Sequence, residues 1–382
     1  MAIAYTDLPS DARVLREARE TARAGGRVTL LAPSPGATSG WTPPEGCEVV
    51  WLDAPQERGQ TTIRGQRRFM REVARWTRDQ AALPAVVHVH NMPDYLIWSV
   101  RHWQHRGVRL VLDVHDVMSD LARHRFRGFK GVIGSRLLAF AERWAWRRAD
   151  HILTVHEYYR ELILQAGIPR RKVSTVLNVP DEHQAALLRR RPPPAQLFKI
   201  VFHGTVSERT GVLSAIRALP AVLKQVPQAQ LWIVGTGNAR ARVRSEIEQL
   251  GLGDRVVFTD AYYPLAEAIA LISDAHVAIV PPERSSYNDG ILPVKLLEYL
   301  TMGIPTVATR LPLIARYVPS EAVSLVDTPT PERLAAALIE LATDSGRYRQ
   351  LESAMAGALA ALTWSNFRPT FRRALSLEAA VS

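Results

Sequence analysis

Cysteine is almost absent. The lone Cys47 among 382 residues excludes an intramolecular disulfide and a cysteine-built metal site, and it suits a reducing cytoplasm. Long apolar runs are missing too: none reaches the ~18 residues of a membrane span, and no secretory leader is read at the start. A cytoplasmic protein is therefore expected. Composition marks no segment as disordered. The 47% hydrophobic content is enough for two cores, which a chain of this length needs. Negative charge is short in one half only. Residues 1–200 hold 31 Lys+Arg against 20 Asp+Glu, a balance of +11, whereas residues 201–382 hold 17 against 17. A basic half joined to a neutral one points to two halves with different partners. No nucleic-acid module is recognisable, so nucleic acid is not an expected partner.

What is present is alternation. In the second half apolar strands are read at 198–202, 231–234, 255–258, 276–280, 306–308 and 322–326, with a helix over about 211–226 between the first two. In the first half they are read at 1–5, 28–32, 86–90, 109–113, 151–155 and 173–177. Short strands alternating with helices predict βαβ units and parallel sheets, hence an α/β fold. Ligands of such sheets bind where loops gather at the carboxyl ends of strands. The charged, proline-rich run Arg189–Pro194 is the expected linker. It separates an N-terminal domain, 1–190, from a C-terminal domain, 191–363.

The run Tyr287–Arg310 carries the most chemistry. Asn288-Asp289-Gly290 is turn chemistry, and Pro293 suits the first turn of a helix. Leu296, Leu297 and Leu300 give that helix an apolar face, with Glu298 pointing elsewhere. Gly303 is placed to stop it, and Ile304–Ala308 resumes as a buried strand. Free N–H groups at the helix start, with Lys295 in the first turn, suit an anion such as a diphosphate. Glu298, one turn on, can accept hydrogen bonds from two sugar hydroxyls. A phosphate seat beside a hydroxyl-binding carboxylate describes a nucleotide-sugar site. A solvent-facing helix glutamate ahead of a buried strand has the same pattern.

This segment resembles the donor-site signature of GT-B glycosyltransferases, especially the retaining family 4 (glycosyl transferases group 1). That signature is a glutamate, seven residues, a second glutamate, a small-residue helix, Gly-x-Pro and an apolar strand. The second glutamate, which binds the nucleotide ribose in the family, falls on Glu298. The first falls on Gly290, so half of the pair is absent; Asp289 and Glu283 are the nearest carboxylates. Further fragments similar to the family follow in order: Ser10–Val14 with Arg16-Glu17-Ala18 and Ala24–Val28, His90–Asp94, Leu112–Asp116, Ala149–Val155 and Leu177–Asp181. The resemblance implies a GT-B architecture, two Rossmann-like domains facing a cleft, with the tail 364–382 packing back on the first domain. It also implies retaining transfer of a sugar from a nucleoside diphosphate sugar to a glycan or lipid-linked acceptor in polysaccharide or glycoconjugate synthesis. No cofactor and no metal are implied. Two alternatives stay open: a non-catalytic partner subunit, motivated by Gly290, and a nucleotide-sugar epimerase of the same fold.

Transfer needs fixed positive charge on the diphosphate leaving group. The family's arginine and lysine for this task fall on Thr205 and Thr210, so the usual pair is missing. Arg209 and Lys295 are the cations expected in their place, Arg209 being equally readable as a solvated loop charge. The resemblance sets His115, in Asp113-Val114-His115-Asp116, against the donor sugar and diphosphate. There it could hydrogen-bond a hydroxyl or act as an acid or base; a capping or core-edge histidine is the plainer alternative. Beside Glu298, donor contacts are expected from Gly204, Thr205, Gly235, Gly237, Tyr262, Asp289, Gly290, Ile291 and Leu292. Acceptor contacts are expected from His90, Asn91 and Asp116. His88 and His90 share one strand face, but spacing fixes no third ligand, so no metal site is expected.

Two basic stretches remain, residues 64–78 and 123–136. Arginines interleaved with large apolar residues suit an anionic membrane surface, which implies peripheral attachment at the inner face of the cell membrane. Ordinary solvated faces rich in arginine are the alternative.

Overall fold

The computed structural model describes residues 1–34, 41–54, 62–119 and 129–377. It divides into two compact units, Met1–Asn178 with the segment from Phe367 onward, and Val179–Asn366. The division precedes the Arg189–Pro194 run, and hydrogen bonding explains why. Arg190 donates to the Gly303 carbonyl at 2.7 Å and to the Tyr348 hydroxyl at 2.6 Å, and it pairs with Glu352 at 2.6 Å. Arg191 donates its backbone N–H to Ser273. The run is a strap fastened to the second unit.

The first unit holds strands β1 (Ala2–Ala4), β2 (Val28–Pro33), β3 (Cys47–Leu52), β4 (Val86–His90), β5 (Arg109–Val114), β6 (His151–Thr154) and β7 (Val173–Thr175). They pair in parallel in the order β3-β2-β1-β4-β5-β6-β7. The order reverses between β1 and β4, whose register sets Ala2 beside His88 and Ala4 beside His90. Such a switch point is where open parallel sheets gather their ligands. Central strands are covered on both faces, so Ile3, Val87, Val89, Leu110, Leu112 and Ile152 are all buried. Edge strand β3 escapes the sequence reading because it is half exposed and its apolar residues do not alternate cleanly.

The helix Ala12–Arg23 is capped by Asp11, whose side chain accepts from the Val14 N–H. The C-terminal helix Trp364–Ala374 brings Phe371 into the first unit, its ring 5.9 Å from that of His88. In the helix Ile63–Arg78, Phe69 and Val73 point into the core while Arg64, Arg67, Arg68, Arg71, Arg75 and Arg78 are exposed. Met70 and Trp76 pack partly buried against that core, so what the helix offers outward is mostly charge, with Ile63 exposed at its start. Residues 123–128 of the stretch 123–136 lie outside the described residues; Arg136 is exposed.

The second unit holds β8 (Phe198–His203), β9 (Ala229–Val234), β10 (Val256–Phe258), β11 (Val277–Val280), β12 (Thr306–Thr309) and β13 (Ser324–Val326). Its parallel order, β10-β9-β8-β11-β12-β13, reverses between β8 and β11. The helix Val294–Met302 buries Leu296, Leu297 and Leu300 and ends at Gly303, whose φ of 71° suits a left-handed cap. Each unit is a Rossmann-like sheet, and the α/β expectation holds.

Candidate functional site

In the second unit the loops after β8 and β9 meet backbone to backbone. A Cβ on Gly235 (φ +145°) would lie 2.1 Å from the Gly204 carbonyl oxygen, and one on Gly237 would lie 2.1 Å from that of Val206. Only glycine permits that approach. A Cβ on Gly204 itself (φ +97°) would stand 3.5 Å from Lys295 Nζ, so the lysine lies against this loop. Thr205 beside it is exposed.

Lys295 belongs to the first turn of the helix Val294–Met302, whose N-cap is Pro293. Its ammonium sits 4.0 Å from the centre of the Phe202 ring. Burial lowers its pKa to about 8; Glu298 works in the opposite direction and Arg209 reinforces the shift. Those three charged groups therefore share one neighbourhood. The Arg209 guanidinium lies 4.7 Å from the Tyr287 ring centre. Asn288 donates to the Arg209 and Glu283 carbonyls at 2.9 and 2.7 Å, tying the two loops together.

Glu298 is oriented by a residue that sequence reasoning missed. His203, the last residue of β8, sets Nε2 2.8 Å from Glu298 Oε2 and Nδ1 2.7 Å from the Tyr299 hydroxyl. The same hydroxyl accepts the His203 backbone N–H at 2.9 Å. A carboxylate only accepts, so Nε2 carries the proton it shares with Glu298. The available signal was position alone, a histidine closing a strand just before Gly204.

Three expected donor contacts are differently engaged. Asp289 forms a two-pronged pair with Arg284 at 2.6 and 2.8 Å, so its carboxylate is already matched. Gly290 and Ile291 donate their N–H groups to Tyr287 and Asn288, closing the short helix Ser286–Asp289 rather than facing an anion. Leu292 is buried and Tyr262 is exposed.

In the first unit Asn91 is buried and works as a brace. Its Oδ1 accepts the His115 N–H at 3.0 Å, and its amide donates to the Asp116 carbonyl. His115 is half-buried, and burial, opposed by Asp113 and Asp116, lowers its pKa and favours the neutral imidazole. His90 is only 1% exposed. An acceptor role for His90 and Asn91 thus meets the physical objection that both side chains face inward. His90 instead joins Glu17, His88 and Asp113 in a buried cluster, with Arg13 bonding both oxygens of Asp113 at 2.7 and 2.9 Å.

Comparison with known proteins agrees with this architecture. The model of "Glycosyl transferases group 1" matches residues 198–344, and that of "Glycosyl transferase 4-like domain" matches residues 10–178. The putative colanic acid biosynthesis glycosyltransferase WcaL of Escherichia coli K12 is 30% identical over 166 residues, 43% of this chain and 40% of that one. The chain spans 40 to 49% of the length of three such curated relatives. Sucrose-phosphate synthase from Thermosynechococcus elongatus superposes with a TM-score of 0.73 at 18% identity, covering 100% of this chain and 99% of that one. Anabaena Alr3699/HepE, solved with UDP and glucose, superposes at 0.70 with 16% identity and 98% coverage of both chains. The chain belongs to the group 1 glycosyltransferases of GT-B fold. Among the described residues no helix is long and apolar enough to cross a membrane.

Proposed function

We propose that this protein moves a sugar from a nucleoside diphosphate sugar to a glycan or lipid-linked acceptor in glycoconjugate synthesis, with retention at the anomeric carbon. The observation that carries this reading is the convergence of Lys295, Gly204 and the His203-held Glu298 at the switch point of the second sheet. A diphosphate over Gly204 would meet the Lys295 ammonium, with Arg209 as a second cation. Charge accumulating on the leaving group is then stabilised by groups fixed beforehand. Glu298 would take two ribose hydroxyls on oxygens already oriented by His203. The chemistry of these residues asks for no cofactor and no metal. The basic first domain would take the acceptor, with the exposed arginines of 64–78 facing an anionic membrane surface from the cytoplasmic side.

The test is a thermal-shift panel of nucleoside diphosphate sugars on wild type and Glu298→Ala, followed by product analysis. Stabilisation by one donor, lost in the variant, with transfer of its sugar, supports the reading. Donor binding without transfer would instead favour a non-catalytic partner subunit, in line with Gly290 at the first signature position. Absence of any donor response would remove the reading.

A further inference from the structure

The first unit encloses four ligand-bearing side chains that sugar transfer does not employ. We propose that Glu17, His88, His90 and Asp113 form a buried zinc site. One ligand atom from each lies within 4.8 Å of all the others. Their exposures are 1%, 3%, 1% and 0%, so bulk solvent does not reach the cage. Glu17 Oε2 and His88 Nε2 are buried without a hydrogen-bond partner, and His90 Nδ1 has only Asp113 Oδ2, 3.4 Å away. Orphaned polar atoms at such depth call for an explanation. Their convergence on one point supplies it.

Spacing decides between occupants. Glu17 Oε2 is 3.6 Å from His88 Nε2 and 3.9 Å from His90 Nδ1, while Asp113 Oδ2 is 3.9 Å and 3.4 Å from the same two nitrogens. A tetrahedral zinc with bonds of about 2.0–2.2 Å sets its ligands about 3.3–3.6 Å apart. A tetrahedral water with hydrogen bonds of about 2.8 Å needs partners about 4.6 Å apart. The four carboxylate–imidazole edges run from 3.4 to 3.9 Å, closer to the metal value than to the water value, and the other two edges stay within 4.8 Å. Two imidazoles with two carboxylates suit zinc among the common divalent ions.

Arg13 holds the ligands from outside. It bonds both oxygens of Asp113 and stands 3.3 Å from Glu17 Oε1, as partners of ligating carboxylates commonly do. It is also the competitor, because its positive charge already answers one carboxylate. Without an ion, a proton on a histidine between the two carboxylates would take the same place. The site would fasten the helix Ala12–Arg23 to β4 and β5, and it stands whether or not the transfer reading holds.

The full-length protein, produced with zinc in the medium and dialysed exhaustively, is assayed for metal by mass spectrometry. About one zinc per chain is expected to remain. It should be lost from His88→Gln and Glu17→Gln and kept in His115→Ala, with circular dichroism verifying the fold. Should the cluster variants fail to fold, wild type refolded with cobalt decides: the intense visible bands of a tetrahedral site are expected. Zinc far below one per chain together with a featureless cobalt spectrum would overturn the site, leaving a proton-held network. Full zinc content in a folded His88→Gln would overturn it equally.

Discussion

His203 Nε2 lies 2.8 Å from Glu298 Oε2 across the start of the loop after β8, linking the end of β8 to the middle of a helix ninety-five positions later. The carboxylate is thus aimed before any ligand arrives. Replacing Glu298 with Ala should weaken donor binding ~10–100-fold, the equivalent of a charge-assisted hydrogen bond or two. His203→Leu should produce a smaller loss, since it leaves the carboxylate in place but unaimed. Titration calorimetry with the cognate donor reads both.

Lys295 gives a pH signature. Burial holds its pKa at about 8 in the free protein, and a bound diphosphate would raise it. Donor affinity should therefore be complete below pH 8 and fall as pH rises through that value, at most about tenfold per unit. Lys295→Arg, charged throughout, should bind with little dependence over the same range. A flat wild-type profile would separate the lysine from the diphosphate.

Gly235→Ala tests the backbone contact between the two loops. Its Cβ would collide with the Gly204 carbonyl at 2.1 Å, in a conformation L-residues rarely adopt. A loss of more than about 2 kcal/mol is expected by urea denaturation, and donor binding should weaken with it. Gly251→Ala, where no atom lies within 4 Å of the new Cβ, shares the positive φ without the collision. It should cost clearly less.

Arg13→Met in metal-stripped protein should destabilise the first unit by about 3–5 kcal/mol, because it removes both hydrogen bonds to the fully buried Asp113. Chemical unfolding followed by tryptophan fluorescence measures this. A loss below about 1 kcal/mol would mean that Asp113 finds another partner.

The strands were legible wherever both faces are covered, because short apolar runs such as Ile200–Phe202 and Val277–Val280 allow little else. Edge strand β3 was not, since Glu48 and Trp51 interrupt its pattern with exposed positions. Lys295 and Glu298 could be set beside each other from the sequence because they share one short helix. His203 could not, because its importance comes from a residue far along the chain. The partners of the charged face of Ala12–Arg23 were not legible for the same reason. Arg13, Arg16, Glu17 and Glu20 have the composition of a solvated helix, yet all four are buried, their partners supplied by β5, by the loop after β7 and by the C-terminal helix. Spacing tied His88 and His90 to each other, while the two carboxylates beside them come from elsewhere in the fold.

The pairs from Arg368 and Arg372 to Glu20, at 2.8 and 2.7 Å, close a loop in time as well as in space. During synthesis every residue of the second unit is joined before the first receives the residues from Phe367 onward that complete it. The domain made first is finished last, which reverses the usual N-to-C order of domain completion. A chain ending before Phe367 would hold every residue of the second unit and lack most of the helix that completes the first.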